Sequence, residues 1–188
     1  MRSLRALGPG SVSSLLKAAL DVAYFLIWIL GAATALATLA VLVLAPFLPT
    51  DALGDDSLYF NGREYEELGP LVPFAVAGLL LVLTYIAGLI AIVGRLRRIF
   101  RTLTAGDPFQ PDNVTRLRFV GVALAALLLL GHAIPILMRM LFPDLAAETD
   151  LQASGISLSS WFAVLVVFVL AEVFREGARL RREAELTI

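Results

Sequence analysis

Four apolar runs, each long enough to cross a membrane, constrain the fold of this chain more than any other feature. They occupy about residues 22–44, 71–93, 119–137 and 156–174. A helix rises about 1.5 Å per residue, so about 20 residues cross the hydrocarbon core of a bilayer. The composition agrees, because 59% of the residues are apolar, whereas a soluble domain has about 45–50%. We therefore predict an all-α polytopic membrane protein, one integral membrane domain built as a four-transmembrane-helix bundle.

Basic residues are distributed unevenly among the segments that flank these runs. Thirteen of the fifteen precede the first run, lie in the central segment 95–118 or follow the fourth run, and only Arg63 and Arg139 lie elsewhere. By the positive-inside rule, segments rich in Lys and Arg remain in the cytoplasm. We therefore predict a multi-pass protein of the bacterial inner membrane with both termini cytoplasmic. Loops 47–70 and 138–155 are then extracytoplasmic.

The central segment begins as a helical continuation of the second run. Its apolar positions share one face, whereas Arg98 and Arg101 lie on the opposite face. The apolar positions are Leu96, Ile99, Phe100 and Leu103. This pattern predicts an amphipathic helix at a membrane surface, and it favours lipid over nucleic acid as the contact. Gly106 and Pro108 then predict the end of that helix, and Pro111 predicts the start of the next.

The first extracytoplasmic loop contains a hairpin signal. Asn61-Gly62 separates two short β-prone runs within residues 57–65. Asn-Gly is typical of a two-residue type I′ turn, because both residues accept positive φ. An irregular acidic loop is the alternative interpretation.

The fourth run is predicted to continue as a charged helix to about Glu185. Glu176 with Arg179, Arg179 with Glu183, and Arg181 with Glu185 have spacings that support ion pairs on one helix. A narrow apolar stripe accompanies them and comprises Val173, Gly177, Leu180 and Ala184. The helix either packs on the central loop near Phe109, with Gly177 permitting close approach, or presents this stripe to a partner.

Three ionisable residues lie in or beside the apolar runs, namely Asp21, His132 and Glu172. Such residues are candidates for an ion pathway. The alternative is structural, because Lys17 and Arg175 are placed to pair locally with the two acids. His132 either bonds a neighbouring helix or senses external pH. A single histidine and no cysteine predict no metal site. No Gly-rich phosphate loop, Gly-x-Ser-x-Gly or His-Glu-x-x-His motif is present, so no cofactor and no catalytic group are predicted.

Small residues recur at four-residue spacing within the runs, as in Gly31 and Ala35 or Gly121 and Ala125. In lipid, close backbone approach at such positions holds helices together. These residues are expected either to join the bundle or to form a homo-oligomer.

Two stretches resemble a known family. They are LTAGDPF followed by NVTRLR within 103–118, and VFREGARLRREAELTI at 173–188. Together they resemble a bacterial four-span membrane family, domain of unknown function 2975. The resemblance implies a four-helix architecture and often a neighbouring gene for a small helix-turn-helix regulator, but no catalytic residue. The candidate motif residues are Gly106, Asp107, Pro108, Phe109, Asn113, Arg116, Arg118, Phe174, Glu176, Gly177, Leu180 and Glu183.

Two function classes follow. The first is a non-enzymatic membrane regulator or tether, whose cytoplasmic loop and C-terminal helix act on a protein partner such as that regulator. No direct nucleic-acid binding is expected. The alternative is a small transporter, channel subunit or immunity-type membrane protein. In that case Asp21, Thr84, His132 or Glu172 lines a polar path through the bundle.

Overall fold

A computed structural model of the chain describes residues 12–47, 58–60, 63–65, 71–148 and 157–186. Four long helices dominate these residues, and a six-residue helix separates the last two. The helices are α1 Val12–Leu44, α2 Leu71–Thr104, α3 Pro111–Leu141, α4 Pro143–Glu148 and α5 Leu158–Leu186, and a 3₁₀ turn, Ala45–Phe47, follows α1.

Lipid is the solvent that fits the four long helices. All four are long and apolar enough to span a membrane, yet only 11–22% of their most apolar stretches is buried within the protein. Phe25 and Leu129, for example, are 66% and 58% exposed. Apolar side chains exposed in this number would be costly in water, whereas lipid covers them at no such cost. The predicted all-α, four-span membrane architecture is confirmed.

The described residues fall into two compact units. The first unit contains the described residues within 1–28, 88–128 and 157–188, and the second contains those within 29–87 and 129–156. Helices α1, α2 and α3 therefore contribute to both units, whereas α5 belongs to the first.

Side chains of α2, α3 and α5 form the core of the first unit. One buried cluster joins Ile92 of α2 to Val120 and Leu127 of α3. Glycines allow the helices to approach closely. A Cβ atom on Gly88 would lie 2.6 Å from Leu127 Cδ2, and one on Gly121 would lie 3.0 Å from the Phe168 ring. The Gly121 position therefore packs helices of the same chain together, as one of its two predicted roles requires.

The second unit contains the predicted hairpin. Strand β1, Leu58–Phe60, pairs antiparallel with β2, Arg63–Tyr65, and Phe60 lies opposite Arg63. This register leaves two residues between the strands, as the prediction requires, although Asn61 and Gly62 themselves lie outside the described residues.

The helical part of the second unit extends further than the apolar run suggested. Helix α3 continues through Pro135 to Leu141, and α4 follows after one residue. The rings of Phe74 and Phe142 meet edge to face with centroids 5.6 Å apart. The described part of the predicted loop 138–155 is therefore helical over residues 138–141 and 143–148. A buried methionine, Met138, extends the packed face of α3 beyond the apolar run.

Candidate functional site

The charged end of the first unit is the candidate functional site. We define the charged end as residues 95–118 of α2, α3 and their connection, together with residues 172–186 of α5. It carries ten of the eleven basic residues and six of the seven acidic residues described in that unit. The α2–α3 connection and the ends of α2, α3 and α5 position these groups.

Helix α2 ends in a glycine-based cap. Gly106 has a positive φ of 84°, its N–H donates to the Leu103 carbonyl at 3.2 Å, and the Asp107 N–H donates to the Thr102 carbonyl at 3.0 Å. These two hydrogen bonds define a Schellman motif, in which a residue without Cβ adopts the left-handed conformation. The predicted helix stop at Gly106 is confirmed, and the cap turns the chain toward α3 over six residues.

Asn113 fastens this connection from inside. Its side chain is fully buried, and its Nδ2 donates to Thr102 Oγ1 at 2.6 Å and to the Pro108 carbonyl at 3.0 Å. Its Oδ1 accepts from Arg116 Nη1 at 3.0 Å. Both amide protons and the amide oxygen are therefore used, as burial of a polar group demands. Asn113 thereby links the end of α2, the connection and the first turns of α3.

Phe109 packs the α2–α3 connection against α5. Its ring lies 5.7 Å from the ring of Phe174, and a Cβ on Gly177 would overlap it. The predicted packing of the C-terminal helix on its own loop, with Gly177 allowing close approach, is therefore present. Two other residues of the predicted apolar stripe, Val173 and Leu180, are each 55% exposed.

An ion pair closes the same junction. Arg181 of α5 contacts Asp107 of the connection through Nη1, and its Nε donates to Glu185 Oε1 at 2.9 Å. Hydrogen bonds from Arg181 to Glu185 and Asp107, and the charges of these carboxylates, raise the pKa of Arg181. Like arginine in proteins generally, Arg181 is positively charged at any physiological pH.

The family comparison matches this same end of the chain. The family described as "Protein of unknown function (DUF2975)" matches residues 61–188, which is more than half of the chain and includes the whole charged end. The chain belongs to the DUF2975 family. No curated protein and no solved structure matches it.

The two DUF2975 motifs thus meet in space. Eleven of the twelve motif residues take part in the cap, the Asn113 network, the Phe109 contact or an ion pair of the charged end. They are Gly106, Asp107, Pro108, Phe109, Asn113, Arg116, Arg118, Phe174, Glu176, Gly177 and Glu183. Pro108 contributes its carbonyl to the network, and Arg118 lies 3.9 Å from Glu172. Leu180 is exposed.

Two contacting residues were missed by the sequence analysis. Thr102 supplies both the hydroxyl that accepts from Asn113 and the carbonyl that caps α2. The sequence feature that could have identified Thr102 is its position, one helical turn before the predicted helix end at Gly106. Arg181 was noted only for its spacing to Glu185. Its contact with Asp107 joins residues 74 positions apart, so no spacing pattern along one helix could predict it.

The ion pairs predicted within α5 are confirmed. Arg179 Nη2 lies 2.5 Å from Glu176 Oε1, and Arg179 Nε lies 3.6 Å from Glu183 Oε1. Glu172 pairs with Arg175, as predicted. All of these groups are substantially exposed, so each pair contributes little to stability.

The predicted partner of Asp21 is wrong. Asp21 of α1 pairs with Arg97 of α2, with Oδ1 and Nε 2.5 Å apart, instead of with Lys17 on its own helix. The Arg97 guanidinium also lies 4.4 Å from the centre of the Tyr24 ring. Arg97 is only 23% exposed in its side chain, so this cross-helix pair is better shielded from water than the pairs of α5.

The apolar face at the end of α2 is covered by protein. Ile99 is 4% exposed and packs with Leu117 of α3 and Ala171 of α5. The prediction that this face rests on the membrane surface is therefore wrong. The opposite face agrees with the sequence pattern, because Arg98 and Arg101 are exposed.

The polar residues considered for an ion pathway do not share one setting. Asp21 and Glu172 belong to the first unit, where each is paired with arginine. Thr84 and His132 belong to the second unit. The Thr84 hydroxyl donates to the Leu80 carbonyl of its own helix at 2.9 Å, and His132 is half-buried. Among the described residues no group of three His, Cys, Asp or Glu could hold a metal ion.

Proposed function

We propose that this DUF2975 protein is a non-enzymatic protein of the bacterial inner membrane whose charged end tethers a soluble protein partner on the cytoplasmic side. The observation that carries the proposal is the construction of the charged end. Asn113, Phe109 and Arg181 fasten the α2–α3 connection to its own helices and to α5. The connection and α5 therefore present one preformed surface, and a preformed surface loses little entropy on binding.

The charge distribution supports the cytoplasmic side for this surface. Thirteen of the fifteen basic residues of the chain flank the spans on one side, on the four-span topology. Segments with this excess of Lys and Arg are retained in the cytoplasm during insertion. Reporter fusions test the topology. An enzyme active only in the cytoplasm should work after Ile188, and one active only in the periplasm should work after Glu67. The reverse result contradicts the proposal.

Exposed apolar side chains beside arginines suggest how a partner is held. Leu180, 55% exposed, lies one turn after Gly177, and Phe109 remains 37% exposed. Interfaces are commonly centred on such apolar anchors with a charged rim. The rim here is rich in arginine, so the partner should contribute acidic residues. A small helix-turn-helix regulator, the neighbour that the family resemblance implies, is the candidate partner.

The test is co-purification of the full-length protein with that regulator from a bacterium that encodes the two together. Extraction in a mild uncharged detergent should recover both. Leu180→Asp should abolish recovery of the regulator, because it places a charge in the apolar anchor. Leu186→Asp is the matched control, because Leu186 is also exposed on α5 but lies beyond the contact with the connection.

Two outcomes would contradict the tether. One is that the regulator is not recovered with the unmodified protein under conditions in which both are expressed. The other is that Leu180→Asp and Leu186→Asp reduce recovery equally, which would indicate a nonspecific apolar contact. Because both leucines are exposed, neither change should lower the thermal stability of the protein by more than a small amount.

A further inference from the structure

A groove between α3 and α5 is separate from the Phe109 contact. It has a volume of about 440 Å³ and is lined by the first turns of α3 and the last three turns of α5. That volume is within the range of about 300–1,000 Å³ typical of ligand sites. Both of its walls are helices of the first unit.

Four arginines line the groove, namely Arg118, Arg175, Arg179 and Arg182. The acidic groups around them are Glu183 in the wall, Glu172 beside Arg118 and Arg175, and Glu176 beside Arg179. Positive charge remains in excess. Each guanidinium has five N–H donors, and these carboxylates engage only some of them. Arginine is the residue best suited to bidentate contact with phosphate.

The groove begins where the protein leaves the hydrocarbon. Arg118 immediately precedes the third apolar run, and Arg175 lies four residues, or about 6 Å of helix, after Ala171. The headgroup region of a bilayer is about 5–8 Å deep on each side. Arg118 and Arg175 therefore lie at the depth of lipid phosphates, and Glu172 holds the two guanidinium groups on the same side of the groove.

Apolar side chains share the groove walls with the arginines. Val114, Ala178 and Leu186 all contribute to the lining. Val114 and Ala178 lie one turn farther from the hydrocarbon than Arg118 and Arg175, so the part of a lipid headgroup beyond the phosphate would cover them. The acyl chains would run the other way, along exposed residues of the third span such as Phe119 and Val122. A small soluble anion would cover neither set.

We propose that this groove binds the headgroup of one anionic phospholipid, with its phosphate held by Arg118 and Arg175. The lipid then occupies a defined stoichiometric site, in contrast to the diffuse attraction that any basic surface exerts on an anionic leaflet. It would also bridge α3 and α5 and so stabilise their junction. The proposal concerns a different surface from the partner contact around Leu180, and either can fail without the other.

The experiment uses the full-length protein in an uncharged detergent. Native mass spectrometry during titration with phosphatidylglycerol or with phosphatidylcholine of the same acyl chains counts the bound lipids. We expect one phosphatidylglycerol to bind at least about tenfold more tightly than phosphatidylcholine. Arg118→Gln/Arg175→Gln should lower that affinity by at least about tenfold, the effect of losing charge-assisted hydrogen bonds.

The matched control is Arg98→Gln/Arg101→Gln. It removes the same charge from the same end of the first unit, at exposed positions outside the groove, and should change the affinity less than about twofold. Arg118→Lys/Arg175→Lys keeps the charge but not the bidentate geometry, and should give an intermediate loss. This variant also decides the question if the glutamine variant unfolds.

Three results would overturn the proposal. The first is equal affinity for phosphatidylglycerol and phosphatidylcholine. The second is an equal loss in the groove and control variants, which would show that diffuse charge is responsible. The third concerns the source of the phosphate. If sn-glycerol 3-phosphate binds as tightly as phosphatidylglycerol, the ligand is a soluble phosphate ester and the lipid assignment is wrong.

Discussion

The two units satisfy their polar groups in different ways. In the first unit, polar side chains contact other helices, as Asn113 contacts Thr102 and Asp21 contacts Arg97. In the second unit, the threonines bond locally. The hydroxyls of Thr38 and Thr84 each donate to the carbonyl one turn earlier on the same helix. Contacts between helices specify how helices align, whereas local bonds do not. Among these side chains, the contacts that specify helix alignment therefore lie in the first unit.

Removal of the buried Asn113 amide should have the largest effect on the free energy of unfolding. Asn113→Ala leaves the Pro108 carbonyl and the Thr102 hydroxyl without their bonds to the amide, so we expect a loss of about 2–4 kcal/mol in unfolding free energy. Thr84→Val removes a local bond of the second unit and should cost less than about 0.5 kcal/mol. Chemical unfolding in detergent measures both. Equal losses would show that the contrast between the units is not energetic.

The second-largest effect on the free energy of unfolding is expected from substitution of a glycine at a helix contact. At Gly177 an added Cβ overlaps the Phe109 ring, whereas at Gly131 of the second unit nothing lies within 4 Å. Gly177→Ala should therefore cost about 1–3 kcal/mol, and Gly131→Ala should be neutral or slightly stabilising.

Phe109→Ala in the same chain provides the internal control. The double variant Phe109→Ala/Gly177→Ala should recover part of the loss, because the overlap is gone. Thermal unfolding of the four variants measures the coupling. If the two losses simply add, the packing of Phe109 on Gly177 is not what makes glycine necessary.

A smaller effect is expected at the end of α2. Gly106 has a positive φ of 84°, so Gly106→Ala should cost about 1–2 kcal/mol. Gly106→Asn should cost less, because asparagine tolerates this conformation. Gly78→Ala is the control in the second unit, where a Cβ meets nothing within 4 Å. An alanine as harmless at 106 as at 78 would mean that the cap does not need its left-handed residue.

The smallest predicted effect concerns the pair between α1 and α2. A double-mutant cycle with Asp21→Asn and Arg97→Gln should give a coupling of about 0.5–1 kcal/mol. The pair of Arg179 and Glu183 within α5, 3.6 Å apart and exposed, should couple by less than about 0.5 kcal/mol. Added salt should weaken the second coupling more than the first. A cross-helix coupling no larger than the local one would remove Asp21 from the specificity of the first unit.

Much of the fold was accessible from the sequence because its signals are local. Apolar run length predicted the four spans, and Gly106 predicted the end of α2. The ion pairs of α5 followed from spacings of three and four residues, which a helix places on one face.

The contacts between helices were not accessible in the same way. Asp21 was assigned to Lys17 because only neighbours on one helix can be identified from spacing, yet its partner is Arg97, 76 positions away. An amphipathic pattern predicts which face of a helix is buried, but not whether lipid or protein buries it. The sequence therefore suggests lipid for the face of Ile99, whereas α3 and α5 cover it. The relative rotation of α1, α2, α3 and α5 decides these contacts, and packing sets that rotation.

The six-residue connection between α2 and α3 has a consequence for the order of folding. Thr102 and Asn113 are only eleven positions apart, so the contact between them closes a short loop and costs little conformational entropy. Docking of α5 joins Asp107 to Arg181 across 74 positions, and its entropic cost is correspondingly larger. The α2–α3 connection should therefore form first during biogenesis, and α5 should pack last against the folded α2–α3 pair.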